Sequence, residues 1–224
     1  HTHLDKGHIW ERSPNPDGTF QGAIQSAQRD RERYYRAEDV YRRMEFALQC
    51  SYAHGTTAIR THIDAVGEAG KISFEVFEQL RQQWSDRLRL QGVCLVTTDY
   101  YLTPAGEALA DRMAEQGHIL GGVAQGGLDL TAQLTRLFEL AQERHLDLDL
   151  HVDETDDPKS RILHQVAALA LQMGFTGNII CGHCCSLDQQ SPAQVQETLT
   201  LVKAAKAAIV SLPTVSYTHL TLPT

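Results

Sequence analysis

The sequence predicts an α/β fold in which strands and helices alternate, and three observations carry that prediction. Short apolar runs recur along the chain, each bounded by turn-forming residues. Segments with helical periodicity, ten or more residues long, separate these runs. Histidines stand at the trailing ends of several runs, where an α/β barrel builds its catalytic face. Strands that alternate with helices indicate βαβ units and a parallel sheet.

The strand candidates are six apolar segments with the length and flanking residues of buried strands. They cover 57–64, 88–96, 120–124, 147–153, 178–183 and 208–212. Residues 1–3 add a stub, so seven strands are expected in all.

The helix candidates lie between these strands and cover 37–53, 73–84, 104–116, 131–144, 158–173 and 191–205. Glycines at 55, 117 and 174 stand where helix C-terminal caps are expected. Pro158 and Pro192 stand where a first helical turn accepts proline.

The whole pattern favours a (β/α)8 TIM barrel over an open doubly wound sheet. A complete barrel needs about 250 residues, and this chain has 224. We therefore interpret residues 1–214 as a partial barrel that is truncated at both ends. The open sheet often has a Gly-rich turn after its first strand, and the glycine pairs at 121–122 and 126–127 do not supply one.

The segment 7–31 is long for a βα connection and is either a functional loop or a surface excursion, with a short helix at 22–29.

The last ten residues, VSYTHLTLPT, break the preceding pattern. They resemble one translated frame of a sequencing-library adapter. We interpret 215–224 as a non-native tail.

Composition excludes several classes of function. The formal net charge is −8, which argues against a nucleic-acid partner because phosphate binding needs concentrated Lys and Arg. No apolar run approaches the roughly 20 residues of a membrane span, so no membrane partner is expected. Five cysteines, with two adjacent, do not resemble a disulfide framework. A reducing compartment, the cytoplasm, fits them better.

The sequence His1-Thr2-His3 is the first chemical signal. Two histidines one residue apart in an extended strand project to the same side, because side chains alternate with a period of two. His151 follows the apolar run 146–150 and supplies a third imidazole. Imidazole suits zinc and iron, so we expect His1, His3 and His151 to ligate one divalent ion.

Glu154 and His183 are the candidate catalytic residues. A metal hydrolase needs a group that removes a proton from water and delivers one to the leaving amine, and Glu154 follows the candidate ligand closely. His183 ends the fifth long strand and can orient the nucleophile or stabilise charge. The alternative for Glu154 is an acidic loop that only caps the next helix. We expect Asp156 or Asp157 to provide that cap, and both interpretations are compatible.

The remaining histidines and cysteines receive structural interpretations. His62 ends the strand 57–64 and is a candidate to face the pocket. Surface or cap positions are expected for five further histidines: His8, His54, His118, His145 and His164. Cys181 and Cys184 have the spacing of a zinc knuckle, but a second such pair is missing. Core packing is the better interpretation of the cysteines.

Together these motifs resemble the amidohydrolase superfamily, and within it bacterial cytosine deaminase and isopropylammelide aminohydrolase. The resemblance covers nearly everything up to Thr214. Five segments carry it: His1–Asp5 (HTHLD), 18–22 (GTFQG), 60–64 (RTHID), 151–161 (HVDETDDPKSR) and His183.

The resemblance implies an enzyme with a single divalent metal, zinc or iron, that hydrolyses amino groups from nitrogen heterocycles. It implies that His1, His3 and His151 are ligands, that Glu154 shuttles the proton and that His183 positions the nucleophile. No lysine occurs in 120–125, so a carbamylated-lysine binuclear site is unsupported. The family's aspartate ligand after the eighth strand and its N-terminal β-sandwich are not matched. The isolated chain is therefore expected to bind metal poorly and to be inactive.

The sequence thus predicts a metal-dependent hydrolase that cleaves a non-peptide C–N bond, most simply by deaminating a small nitrogen heterocycle. Cytosine itself is doubtful, because the glutamine that grips the base in that enzyme is replaced in 96–99. Two alternatives stay open. One is hydrolysis of an N-alkyl amine or a cyclic amide, and the other is a barrel that binds a ligand without catalysis. A homo-oligomer is also left open.

Overall fold

The computed structural model describes residues 1–127 and 129–211, with every side chain in them except that of Phe20. These residues form two compact units, His1–Gly92 and Val93–Ser211. The expected α/β class with parallel strands is confirmed in them. None of the described helices has the length and hydropathy to cross a membrane.

The first unit contains three helices, one strand and the start of a second strand. In chain order they are α1 (Phe20–Tyr34), α2 (Ala37–Ala53), β1 (Ala58–Asp64), α3 (Gly67–Gln83) and β2 (Arg89–Leu95), which runs across the unit boundary. A short 3-10 helix, Leu4–Lys6, precedes them. The buried side chains of α2 include Val40, Met44 and Leu48, at helical spacing along one face.

The second unit is a parallel sheet with helical crossovers. Its elements are α4 (Pro104–Gln116), β3 (Leu120–Val123), α5 (Leu130–Glu143), β4 (Leu148–Val152), α6 (Ile162–Gln172), β5 (Ile179–His183), α7 (Pro192–Ala204) and β6 (Ala208–Val210). The strands pair in sequence order, from β3 to β6, and every pairing is parallel. All five residues of β4 are buried, as expected for a strand covered on both faces.

Strand register in the second unit aligns the ends at which the candidate residues stand. Thr97 bridges to Val123, Val123 pairs with His151, and His151 pairs with Gly182. The residues that follow β3, β4 and β5 therefore emerge at one edge of this sheet, its carboxyl edge.

Several predicted boundaries are correct, and the reasons are local. Helix α4 begins at Pro104 behind the N-cap Thr103 and ends at Gly117, which has a φ of 68°. Helix α7 begins at Pro192 with a full capping box between Ser191 and Gln194.

Three predicted elements differ from the structure: two helices are longer than expected, and one strand is reduced to a bridge. The short helix expected at 22–29 is the 15-residue α1, which begins after Thr19 because the Thr19 hydroxyl accepts the Gly22 amide. Helix α3 begins six residues before its expected start, in a glycine-containing stretch with low helix propensity. Gly70 is required there because a Cβ atom would meet the backbone of Ala65. The expected first strand at 1–3 is a single bridge between Thr2 and Thr61.

Helix α6 also begins later than expected, so Pro158 is not in its first turn. Asp157 does not cap the helix, since its carboxylate accepts the Lys159 amide in a local turn. The cap comes from Asp153, whose two carboxylate oxygens accept the amides of Ile162 and Leu163. The cap prediction for Asp156 or Asp157 is therefore wrong. The predicted tail 215–224, and Leu212 of the predicted strand 208–212, lie outside the described residues.

Candidate functional site

Three imidazoles lie together in the first unit. His1 and His3 flank Thr2, which bridges to Thr61, and the His62 amide donates to the Thr2 carbonyl at 2.8 Å. The ring centre of His62 lies 4.1 Å from that of His1 and 5.4 Å from that of His3. The ring centres of His1 and His3 are 5.3 Å apart. We call these three residues the histidine cluster.

The cluster has the donor set of a metal site. One ring nitrogen from each of the three residues lies within 4.8 Å of the others. Zinc–nitrogen bonds are about 2.0–2.1 Å long, so nitrogens at this spacing are close to the separation at which they can share an ion. Neutral imidazole nitrogens are ligands that zinc and iron accept. The residues of this unit therefore fit a divalent transition metal.

Backbone anchors hold the segment that carries His1 and His3. The Leu4 amide donates to the Thr61 hydroxyl at 3.0 Å. The buried guanidinium of Arg43 donates to the carbonyls of Asp5 at 2.7 Å and of Gly7 at 3.0 Å. These bonds position a segment that regular strand pairing does not hold.

Charged side chains beside the cluster are paired with one another. The Lys6 ammonium lies 2.6 Å from a carboxylate oxygen of Asp64, and Arg31 also contacts Asp64. Asp5 is fully buried and accepts the Asp64 amide at 3.0 Å. Burial raises the pKa of Asp5, with Lys6 opposing the rise. These carboxylates are therefore engaged in fixing the chain, whereas the imidazoles face one another.

The second unit brings together the other three predicted site residues. His151 lies in β4 and His183 ends β5, with ring centres 4.9 Å apart. A carboxylate oxygen of Glu154 lies 3.3 Å from Nδ1 of His183. Both histidines are buried, while the Glu154 side chain keeps 17% of its surface exposed. This arrangement allows the carboxyl group to exchange protons with a ligand while the imidazole holds its position.

Three of the six described non-glycine residues with a positive φ lie at these strand ends. Asp153, His183 and Cys184 all have positive φ values, of 52°, 71° and 54°. Non-glycine residues adopt this conformation rarely, and it clusters at functional sites. At the carboxyl ends of β4 and β5, an unfavourable backbone conformation is therefore retained, and it sets the direction of the side chains there.

Cys181 and Cys184 confirm the prediction of core packing, whereas Cys185 is only half-buried. Cys181 and Cys184 are buried, and burial raises the pKa of both thiols, that of Cys184 to about 12. Both thiols are therefore protonated at neutral pH, as expected of cysteines packed in a core. Cys94 is also buried, with a pKa raised by burial.

The remaining histidines take surface or cap positions, as expected. His8, His54 and His145 are exposed, and His164 lies half-buried beside Arg161. His118 is buried, but it lies at the C-terminal cap of α4, one of the two positions expected for it. It directly follows the left-handed Gly117, and its amide donates to the carbonyl of Met113 at the end of α4. The residue after a glycine in this kind of cap commonly packs inward. The glycine at 117 was therefore the sequence signal that could have indicated the burial of His118.

Comparison with known proteins supports the resemblance seen in the sequence. No family model matches the chain. It is 48% identical, over 214 residues and 95% of its length, to a pterin deaminase of Rhizobium rhizogenes, of which it covers 49%. It is 22% identical to an N-isopropylammelide isopropyl amidohydrolase of Pseudomonas sp., over 91% of this chain and 52% of that protein.

Solved structures give the same picture for the fold. The chain matches a 5-methylcytosine deaminase from Klebsiella pneumoniae with a TM-score of 0.84 and 26% identity, over 96% of this chain and 52% of that one. An N-isopropylammelide isopropylaminohydrolase from Burkholderia multivorans matches with a TM-score of 0.77 and 22% identity. The match covers 94% of this chain and 54% of that one.

The chain is therefore similar to amidohydrolase-superfamily deaminases, as the sequence motifs predict. A truncated barrel is consistent with these neighbours. The chain spans about half the length of the curated relatives it matches.

Proposed function

We propose that the chain carries part of a metal-dependent hydrolase that deaminates a nitrogen heterocycle, with residues 1–214 forming a partial barrel of that enzyme. One observation carries the proposal. In the second unit, a carboxyl group at the end of one strand stands 3.3 Å from an imidazole at the end of the next, beside a buried histidine. Transfer of a proton to a leaving amine needs a positioned acid–base side chain, and this pair can supply one.

The resemblance assigns His1, His3 and His151 as ligands of one divalent ion, zinc or iron. The histidine cluster supports the assignment of His1 and His3, since it gathers nitrogen donors at the spacing described above. His62 packs against His1 and restricts that ring. When bound, such an ion lowers the pKa of water toward 7 and so supplies a nucleophile at neutral pH.

Glu154 performs the proton transfers in this proposal. Its carboxylate takes a proton from the attacking water and passes it to the ring nitrogen. As the carbonyl forms, the carboxylate takes the second proton from the same oxygen and passes it to the amine, which leaves as ammonia. Partial exposure lets Glu154 reach a substrate, and the nearby His183 limits the directions in which it can turn. His183 in turn donates to the attacking oxygen and so stabilises the charge that develops at the attacked carbon.

A pterin is the first candidate substrate, because the pterin deaminase is far more similar to the chain than the isopropylammelide enzyme is. Both 5-methylcytosine and N-isopropylammelide remain comparison substrates. The alternatives are hydrolysis of an N-alkyl amine or cyclic amide, and ligand binding without turnover. The partner is thus a small heterocycle. We place the protein in the cytoplasm, where the five free thiols stay reduced; a homo-oligomer remains open.

Ammonia release tests the proposal. The protein is produced from its complete reading frame, loaded with zinc or iron, and assayed with pterin, cytosine, 5-methylcytosine and N-isopropylammelide. We expect ammonia from pterin at a higher kcat/KM than from the pyrimidines. Isopropylamine from N-isopropylammelide would favour the alternative, and binding of pterin without ammonia would favour the ligand-binding barrel.

A further inference from the structure

Asp153 stands in the sequence between a candidate ligand, His151, and the candidate proton carrier, Glu154, and its own carboxylate is bonded to the start of α6. The side chain is buried, with only 3% of the residue exposed. Its Oδ1 accepts the Ser160 hydroxyl at 2.7 Å and the Ile162 amide at 2.8 Å. Its Oδ2 accepts the Leu163 amide at 2.9 Å. Three donors therefore hold the carboxylate against the start of α6.

These hydrogen bonds stabilise Asp153 in a left-handed backbone conformation. Asp153 has a φ of 52°, a conformation that aspartate tolerates better than most side chains but that still needs support. This reversal directs the chain from the end of β4 to Glu154. The next side chain then lies with its carboxylate 3.3 Å from His183.

The same network reaches the segment that follows β5. Ser186, which is fully buried, donates its amide to the Asp153 carbonyl at 3.3 Å and its hydroxyl to the Ser160 carbonyl at 2.7 Å. Gln190 donates to the same Ser160 carbonyl at 3.0 Å. Just before this segment, the Cys184 amide donates to the Val152 carbonyl at 3.0 Å. The residues after β4 and the residues after β5 are thus bonded directly to each other.

We propose that Asp153, through Ser160 and Ser186, is the positioning residue that holds Glu154 against His183. It is not a catalytic residue, because backbone amides and a hydroxyl occupy both of its oxygens. The inference deepens the proposed function and rests on it for its kinetic consequences. Its structural consequence, coupling between the two strand ends, is independent of any activity.

The kinetic test compares Asp153→Asn with a matched control. Asn keeps the size of the side chain but turns an NH2 group toward one of three donors. We expect kcat for pterin to fall by about 10- to 100-fold, since small misplacement of a catalytic group has effects of this size. The KM and the bound metal should stay within about twofold of wild type. Asp156→Asn changes an exposed carboxylate of the same loop and should leave kcat unchanged.

A double-mutant cycle separates positioning from general damage. If Asp153 acts through Glu154, then adding Asp153→Asn to Glu154→Gln lowers kcat no further, because the group being positioned is already disabled. If the fold-loss of kcat in the double variant equals the product of the losses in the two single variants, the proposal is overturned.

Hydrogen exchange gives a result even for a protein without turnover. Asp153→Asn, and more weakly Ser160→Ala, should speed amide exchange both in 160–166 and in 183–190, whereas Asp156→Asn should not. Faster exchange confined to 160–166 would mean that Asp153 only caps α6 and does not couple the two strand ends. That result would overturn the proposal. If wild type releases no ammonia from any substrate but exchange in both segments responds, the proposed function fails while the coupling stands.

Discussion

The two groups of histidines in this chain are built in opposite ways. In the first unit, His1 and His3 belong to a segment with one strand bridge, and side chains from other elements hold it in place. In the second unit, His151 and His183 lie in neighbouring strands of a regular parallel sheet. The first group contains imidazoles alone, and the second joins an imidazole to a carboxyl group.

This difference indicates a division of labour. Imidazoles facing one another, with nearby carboxylates already paired to Lys6 and Arg31, suit the holding of a cation. A carboxyl group that is partly exposed beside an imidazole suits the movement of protons. Substitutions in the first group should therefore change metal affinity. In the second group, substitutions of Glu154 and His183 should change turnover with the metal retained, whereas His151 is itself a proposed ligand.

Glu154→Gln should give the largest effect. Loss of a general acid–base group costs about 10²- to 10⁴-fold in kcat, and the amide cannot carry the proton. Metal content per chain should remain unchanged, because Glu154 is not a proposed ligand. Steady-state kinetics with pterin and metal analysis on the same sample measure both. Glu115→Gln, on an exposed position of α4, is the control; equal losses of kcat and metal in Glu154→Gln would erase the distinction between the groups.

His62→Asn should give the next largest effect, and the quantity that changes should be the affinity for the metal ion. Groups that orient metal ligands typically contribute about 10- to 100-fold to metal affinity, and the His62 ring centre lies 4.1 Å from that of His1. Competition with a zinc chelator measures the change. His8→Asn, an exposed histidine that follows the same segment, should leave affinity unchanged. An unaltered affinity in His62→Asn would remove His62 from the cluster's function.

The sequence predicted the second unit better than the first, for a physical reason. Strands buried on both faces are continuous apolar runs, so 147–153 and 178–183 could be located within one or two residues, and His151 and His183 with them. The first histidines were found from their spacing, although the strand expected there is a single bridge.

What the sequence could not supply are contacts between distant residues. Nothing in the local pattern shows that Arg43 reaches the carbonyls of Asp5 and Gly7, 38 and 36 residues away. Similarly, Asp153 caps a helix that begins nine residues later, across an intervening turn that displaces the expected start at Pro158. His62 had only its position in a strand to suggest a role, and its contact with His1 depends on the pairing of Thr2 with Thr61.

Arg43→Met tests the anchoring of the first unit. The variant keeps the apolar stem but removes the bonds to two carbonyls and an ion pair with Asp39 at 2.9 Å. Hydrogen bonds from a charged group contribute about 1.5–3 kcal/mol, so the free energy of unfolding should fall by about 2 kcal/mol. Arg42→Met is the matched control on the same helix. It loses an exposed ion pair with Glu38 and should cost about 0.3–0.5 kcal/mol. Urea denaturation compares them, and equal costs would argue against the anchor.

The acid side of the stability profile should show the smallest effect. A hydrogen bond from Arg12, and then one from Arg43, hold the pKa of Asp39 below its usual 3.8, against the opposing effect of burial. A carboxyl group with a lowered folded pKa stabilises above its unfolded pKa, and this contribution is lost as the pH falls through the folded value. Asp39→Asn should therefore weaken the loss of stability below about pH 4, by less than about 1 kcal/mol because the group is partly exposed. Acid titration followed by circular dichroism measures it, with the exposed Asp86→Asn as control; identical profiles for Asp39→Asn and wild type would contradict the assignment.

Metal removal and restoration test the central claim most directly. The protein from its complete reading frame is stripped with a chelator, and ammonia release from pterin is followed as zinc or iron is returned stepwise. We predict that activity disappears on stripping and returns to a plateau at one equivalent of ion per chain. Pterin deamination that persists in the stripped protein would contradict the account.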